Sequence, residues 1–98
     1  MKKKVSIITP LFNAERYVSE TIKSVLNQSY QNWEMIIVDD CSSDQSVSIV
    51  EKFLVNDKRI RILKNDINLG PGGSRNKAIN AASGDIIAFL DSDDIWHP

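Results

Sequence analysis

The sequence has little of several features that mark particular classes of protein. Cys41 is its one cysteine, so no disulfide can form within the chain, which fits a reducing compartment. No apolar run reaches the ~18 residues of a membrane-spanning helix. The start lacks a signal-peptide core, because Thr9, Pro10 and Asn13 interrupt the apolar residues. The formal net charge is only -1, which gives no sign of bulk electrostatic binding to nucleic acid.

What is present favours one small domain with a buried core. The chain has 98 residues, of which 42% are hydrophobic, and neither a repeat nor a low-complexity segment divides it. Lys2, Lys3 and Lys4 form a short basic start, which we interpret as a solubilising terminus. We therefore treat residues 1–98 as a single domain.

Apolar segments and amphipathic segments alternate along the chain in the order βαβαβαβ. Strands are predicted over 5–9, 35–38, 59–63 and 86–90, and helices over 14–28, after 45 and over 74–82. Strands separated by helices imply right-handed crossovers, so we expect a Rossmann-like α/β sandwich of three layers with a mainly parallel sheet.

Local signals give the expected ends of these elements. Pro10 is expected to stop the first strand, and Asn13 to cap the first helix. Ser42 with Gln45 has the spacing of a capping box for the second helix. The strand at 59–63 alternates polar and apolar residues, which predicts a position near an edge of the sheet. The uniformly apolar strand at 86–90 instead predicts burial on both faces.

Polar residues follow three of the predicted strands. Thr9 and Pro10 follow the first, Asp39 and Asp40 the second, and the group Asp91-Ser92-Asp93-Asp94 the last. Because the carboxyl ends of parallel strands share one edge, we expect these residues to converge, where open α/β sheets bind ligands. Three carboxylates within four positions repel one another, and a divalent metal is the simplest compensation. Such a site suits a diphosphate ligand.

A glycine-rich loop lies between the third strand and the third helix. Its sequence, Gly70-Pro71-Gly72-Gly73, has neither G-x-G-x-x-G spacing nor a Gly-Lys-Ser/Thr ending, which disfavours NAD-type dehydrogenases and P-loop NTPases. Arg75 follows the loop, and we place it in the first turn of the helix, where the helix dipole disfavours a cation. It serves either a ligand anion or a structural salt bridge.

Other chemistries fit the sequence less well. Cys41 as a nucleophile would have only His97 as its base. Trp33 and Trp96 could stack on a base, but we expect them to serve in packing. A phosphotransferase of the haloacid-dehalogenase type would use Asp91 as nucleophile, yet that motif belongs on a first strand and here follows the last.

Four short motifs together resemble a known family. They are Thr9-Pro10-Leu11-Phe12-Asn13, Val38-Asp39-Asp40-Cys41-Ser42-Ser43-Asp44, Asn68-Leu69-Gly70 with Ser74-Arg75-Asn76, and Asp91-Ser92-Asp93-Asp94. Their order resembles that of family 2 glycosyltransferases, inverting enzymes of the GT-A fold, and the resemblance runs from Val5 to Pro98. Cys41 stands where many members have Gly.

The resemblance implies a nucleotide-diphospho-sugar donor, most often with uridine, together with Mn²⁺ or Mg²⁺. It places Thr9, Pro10, Asp39 and Asp40 at the base pocket, with Asp40 facing the base N–H. Arg75 would approach the nucleotide. Four further residues form the D-x-D motif and its neighbour: Asp91 and Ser92 would lie towards the ribose, and Asp91, Asp93 and Asp94 would be the metal ligands, Asp93 first among them.

The resemblance also implies what these residues would leave out. The general base and the acceptor site belong to a second half of the domain, so residues 1–98 would be its truncated, nucleotide-binding half, without a catalytic base and without turnover alone. The acceptor could be a glycan, a lipid-linked sugar or a protein, and the fragment could self-associate. We expect a cytoplasmic location, or peripheral attachment of the full-length protein at the inner face of the membrane. The alternative is a non-catalytic nucleotide-binding module.

Overall fold

The computed structural model describes residues 3–97, so Lys2 of the basic start lies outside the described residues. The elements follow the predicted order. The four strands are β1 (Val5–Leu11), β2 (Trp33–Asp39), β3 (Ile60–Lys64) and β4 (Ile86–Phe89), and the three helices are α1 (Val18–Leu26), α2 (Ser46–Leu54) and α3 (Gly70–Ala81). Over residues 3–97, no helix is long and apolar enough to cross a membrane.

All four strands run parallel in the order β3-β2-β1-β4. The expected parallel sheet is thus confirmed, and β3 lies at an edge as its alternating pattern predicted. Side chains on successive residues of a strand point to opposite faces, and two apolar clusters form as a result. Ile7, Leu11 and Met35 pack with α1 and α2, whereas Ile8 and Ile36 pack with α3 on the other face.

β1 runs through Pro10 rather than stopping there, so that prediction was wrong. The Leu11 carbonyl accepts from Asp40 N–H on the β2 side, and the Ile8 carbonyl accepts from Leu90 N–H on the β4 side. Backbone groups of Pro10 therefore face the β4 side, beyond the last pair of that ladder, Ile8 with Phe89. The N–H that proline lacks would have had no strand partner there, which explains why the strand continues.

β4 is exposed, contrary to the prediction that it is buried on both faces. It pairs with β1 on one side only, and the helices pack over the other strands. Ile86 is 46% exposed and Phe89 is 56% exposed, while Leu90, just after the strand, is buried against α1. An apolar run reports how hydrophobic a strand is, and it cannot report whether a neighbouring layer covers it.

The predicted helix caps are used differently. α1 begins at Val18, and Asn13 instead links two loops: its side-chain oxygen accepts from Ser43 N–H at 2.8 Å. Ser42 does not cap α2, because its hydroxyl accepts from Asn13 N–H at 3.0 Å. Asp44 takes the capping role near the start of α2, with its carboxylate accepting from Ser46 N–H at 2.9 Å.

α3 begins inside the glycine loop, at Gly70, and not at Ser74. Gly70 has φ +75°, a left-handed conformation that glycine adopts without strain, and Pro71 stands in the first turn, which favours helix initiation. Arg75 therefore lies in the second turn of α3. The expected conflict between Arg75 and the helix dipole does not arise, since the dipole acts mainly within the first turn.

Candidate functional site

A cleft of about 520 Å³ opens at the carboxyl edge of the sheet. It lies between the loop after β1, the start of α3 and the turn after β4. Most of the predicted site residues line it together, as parallel strands require: Pro10, Asp40, Arg75, Asp91, Ser92 and Asp93.

The acidic turn after β4 brings three carboxylates together. Oxygen atoms of Asp91, Asp93 and Asp94 all lie within 4.8 Å of one another, and all three residues are exposed. The Asp94 N–H donates to the Asp91 carbonyl at 3.0 Å, which closes the backbone into a tight turn. An all-carboxylate set of oxygen donors fits Mg²⁺ or Mn²⁺, because hard cations prefer such ligands.

Arg75 contacts this turn directly. Its guanidinium Nη2 lies 3.2 Å from Asp91 Oδ1, and both side chains are partly exposed. An exposed pair of this kind contributes little to stability. Within residues 3–97 the guanidinium makes no other hydrogen bond, so its remaining N–H groups are available to an anion in the cleft.

Asp40 lies at the base of the cleft and holds the glycine loop. Its buried carboxylate accepts from the N–H groups of Leu69 at 2.7 Å and Gly70 at 2.9 Å, and from the Asn65 amide at 3.0 Å. Burial alone would raise the pKa of Asp40, but these three hydrogen bonds outweigh it and hold the pKa below its ordinary value. The carboxylate therefore stays ionised at neutral pH.

Thr9 and Asp39 do not line the cleft. They lie on the α1 and α2 face of the sheet, one residue out of phase with Pro10 and Asp40. Thr9 is fully buried, and the carboxylate of Asp39 accepts from Ser42 N–H at 3.3 Å. Asp39 thus helps to fix the conformation of the loop after β2 and does not face the cleft.

Three residues at or near the cleft were not predicted as site residues from the sequence. Phe12 and Tyr17 line it, and each side chain is about half exposed. Phe12 belongs to the first of the four family motifs, and an aromatic residue two positions after Pro10 was the available signal. Tyr17 was assigned to a helix that begins one residue later. Thr21 lies under the acidic turn, and nothing in the sequence indicates that contact.

The two tryptophans and the cysteine that the sequence offered as candidates do not line the cleft. Trp33 is buried at the amino end of the strands, where the Arg59 guanidinium lies 3.9 Å from its ring centre. Trp96 packs against the core. Both tryptophans therefore serve in packing, as expected. Cys41 does not line the cleft, and its φ of 65° is a conformation that favours glycine. Glycine would adopt this conformation without strain.

Comparison with known proteins identifies the family. The model of the family described as "Glycosyl transferase family 2" matches residues 6–98. The chain belongs to this family. The match covers nearly the whole chain and decides for the glycosyltransferase interpretation over the haloacid-dehalogenase one.

Curated relatives are longer than this family 2 chain. It is 52% identical over 92 residues to a UDP-Glc:α-D-GlcNAc-diphosphoundecaprenol β-1,3-glucosyltransferase of Escherichia coli, WfgD. It is 45% identical over 92 residues to a second E. coli enzyme of the same description, WfaP. The aligned region is 94% of this chain and 36% of each relative, so the chain spans about a third of their length.

Solved structures confirm the GT-A fold of this family 2 chain. TarS of S. aureus in complex with UDP matches with a TM-score of 0.88 and 39% identity, over 94% of this chain and 28% of that one. A further TarS structure contains UDP-GlcNAc. The mannosyltransferase PcManGT of Pyrobaculum calidifontis, bound to GDP-Man and Mn²⁺, matches with a TM-score of 0.90 at 23% identity, which supports the fold alone.

Proposed function

We propose that this chain is the donor-binding part of an inverting glycosyltransferase, and that its cleft takes a UDP-sugar together with Mn²⁺ or Mg²⁺. The observation that carries the proposal is the convergence of Asp40, Arg75 and the acidic turn on one cleft. The UDP and UDP-GlcNAc complexes of TarS support uridine as the base.

The base would bind at the end of the cleft formed by Pro10, Phe12 and Tyr17. Their exposed apolar surfaces offer a platform for a planar ring. Asp40 contributes a specific contact. Its Oδ1 accepts two hydrogen bonds, but Oδ2 accepts only one within residues 3–97, from Gly70 N–H. One acceptor position on Oδ2 is thus left for the N–H of uracil.

The diphosphate would bind between Arg75 and the acidic turn. The free N–H groups of Arg75 suit phosphate oxygens, for which a guanidinium has matching geometry. Carboxylates of Asp91, Asp93 and Asp94 would hold the divalent ion, and Asp91 and Ser92 would also contact the ribose. Arg75 keeps Asp91 oriented through their 3.2 Å contact.

The proposed reaction is displacement at the anomeric carbon with inversion. Bound Mn²⁺ or Mg²⁺ would stabilise the negative charge that grows on the leaving diphosphate. Arg75 would add a second positive charge at the same oxygens. The acceptor hydroxyl also needs a general base. We assign that base and the acceptor site to a part of the enzyme outside these 98 residues, so this chain alone binds the donor without transferring sugar.

Calorimetric titration of the chain with UDP, with and without Mn²⁺, tests the donor site. We expect binding that depends on Mn²⁺ and weakens at least about tenfold in Asp93→Ala, because losing one charged ligand removes more than ~1.4 kcal/mol. Asp85→Ala is the matched control. Asp85 is also an exposed aspartate, but it precedes β4 at the amino end of the strands, where its carboxylate accepts from Lys4 N–H at 3.0 Å. We therefore expect its removal to leave UDP affinity unchanged.

Two results would contradict the proposal. If the parent chain binds no UDP at millimolar concentration with Mn²⁺ present, the cleft is not a donor site. If Asp93→Ala and Asp85→Ala bind equally well, the acidic turn does not hold the metal. Sugar transfer by the 98-residue chain alone would refute the assignment of the base to another part of the enzyme.

A further inference from the structure

Helix α1 presents a polar stripe to the segment that follows β4. Thr21, Ser24 and Gln28 are spaced three and four residues apart, so they fall on one face of the helix and its C-terminal end. Each contacts the backbone of residues 92–97. Ser24 Oγ accepts from Trp96 N–H at 3.1 Å, and the Gln28 side-chain amide donates to the His97 carbonyl at 3.2 Å.

Thr21 is the member of the stripe that touches the acidic turn. Its hydroxyl oxygen lies 2.9 Å from the Ser92 carbonyl and 2.7 Å from the Asp94 carbonyl. The carbonyl of Tyr17, four residues earlier, is more distant at 3.3 Å, so the two shorter contacts direct the one hydroxyl hydrogen to the turn. The residue is fully buried, although it lies just beneath exposed carboxylates. A buried hydroxyl that joins two carbonyls of one turn fixes the backbone on both sides of Asp93.

This contact opposes a specific electrostatic tendency. The carboxylates of Asp91, Asp93 and Asp94 converge within 4.8 Å, and like charges this close push the turn open when no cation lies between them. The hydrogen bond from Asp94 N–H to the Asp91 carbonyl closes the turn from within. Thr21 ties the same turn to helix α1, and the apolar side of α1 is part of the core.

We propose that Thr21 is a positioning residue for the metal site: its hydroxyl holds the acidic turn in the conformation that binds a divalent cation. The inference rests on the proposed function, since it deepens the assignment of Asp91, Asp93 and Asp94 as ligands. It predicts that metal affinity depends on a buried hydroxyl that makes no contact with the metal itself. Preorganisation is the physical reason, because an open turn must be closed when the cation binds.

Mn²⁺ binding, followed by the electron paramagnetic resonance signal of the free ion, tests this without any sugar transfer. Thr21→Val keeps the shape of the side chain and removes the hydroxyl. We expect its Mn²⁺ affinity to fall roughly five- to tenfold, the equivalent of about one net hydrogen bond. Thr21→Ser keeps the hydroxyl and should bind Mn²⁺ within about twofold of the parent, even though it loses a buried methyl group.

Ser24→Ala is the matched control on the same stripe. It removes the acceptor of Trp96 N–H one helical turn away, and it should reduce thermal stability without changing Mn²⁺ affinity. Equal weakening in Ser24→Ala and Thr21→Val would overturn the proposal, because general loosening of the segment would then explain both. Should Thr21→Val fail to fold by circular dichroism, Thr21→Cys replaces it, since a thiol is a weak donor.

The outcomes separate this inference from the proposed function. If the parent binds Mn²⁺ and Thr21→Val binds it equally well, only the role of Thr21 is refuted. If the parent binds no Mn²⁺, with or without UDP, the metal site itself fails and the role of Thr21 falls with it. A loss in Thr21→Val that Thr21→Ser restores supports the inference.

Discussion

Asp39 and Asp40 are neighbours in sequence, yet their surroundings differ. Both were predicted at a strand end, and both are there. The alternation of side chains along β2 turns Asp40 towards α3 and the cleft, and Asp39 towards the other face. The strand pattern alone placed the pair without distinguishing its members, and only the family resemblance singled out Asp40. The choice depends on which helices pack on which face, and only the tertiary structure shows that.

The carboxylate of Asp40 gives the molecule a pH-dependent stability. Its folded pKa lies below its ordinary value of 3.8. A group with a depressed folded pKa stabilises the fold fully above its unfolded pKa, and this stabilisation is lost as the pH falls through the folded pKa. We expect Asp40→Asn to lower the free energy of unfolding at pH 7 by about 2 kcal/mol, the loss typical of hydrogen bonds to a buried charge.

Urea denaturation at several pH values checks this prediction. The difference in stability between parent and Asp40→Asn should shrink as the pH falls below about 4, where the carboxylate of the unfolded parent becomes protonated. Asp39→Asn is the control, and it should cost less because its contacts to Ser42 N–H are 3.3 and 3.4 Å long. A constant difference between parent and Asp40→Asn from pH 7 to pH 3 would show that the charge of Asp40 does not matter.

At the scale of elements, periodicity predicted the order and type of all seven. The starts of the helices were less predictable, because the capping residues have partners in other loops. Asn13 and Ser42 have the chemistry of local caps, but their hydrogen bonds join the loop after β1 to the loop after β2. Asp40, thirty residues before Gly70, accepts the N–H at the start of α3. Sequence signals report local capping potential and cannot reveal long-range partners.

Two glycines, Gly84 before β4 and Gly72 within α3, should respond to alanine in opposite directions. A Cβ on Gly84 would lie 2.5 Å from Ser6 Oγ and 2.8 Å from the Lys4 carbonyl, so β1 and the approach to β4 would have to separate. We expect Gly84→Ala to destabilise the fold by about 1–3 kcal/mol. Gly72 lies in α3, and a Cβ there meets nothing within 4 Å. Gly72→Ala should stabilise by about 0.5–1 kcal/mol, because alanine favours the helix.

Thermal unfolding of the two variants measures both effects. The comparison isolates the close approach at Gly84, since each variant adds the same single methyl group. If Gly84→Ala unfolds at the parent temperature, the backbone of β1 adjusts more easily than its packing indicates. The hydrogen bond from Gly84 N–H to Ser6 Oγ at 2.8 Å would then have to lengthen to make room for the methyl group.

At the scale of the whole molecule, β4 leaves an apolar edge exposed. Sequence showed that the strand is hydrophobic, but residues 3–97 leave it largely exposed, with Ile86 at 46% and Phe89 at 56%. An apolar edge strand with one unpaired side offers both backbone groups and side chains to another chain. We therefore expect the 98-residue chain to self-associate through β4 as its concentration rises.

Sedimentation velocity over a range of concentrations tests this expectation. Phe89→Lys places a charge on the strand, and it should raise the dissociation constant of the associated species at least about tenfold, since burying a phenylalanine contributes roughly 1.5–3 kcal/mol. Val55→Lys is the control. Val55 is 82% exposed, but it caps the end of α2 and is not part of β4, so its replacement should leave the dissociation constant unchanged. Association that survives in Phe89→Lys, or that Val55→Lys weakens equally, would place the contact elsewhere. Loss in Phe89→Lys alone would identify the β4 edge as the surface through which the chains associate.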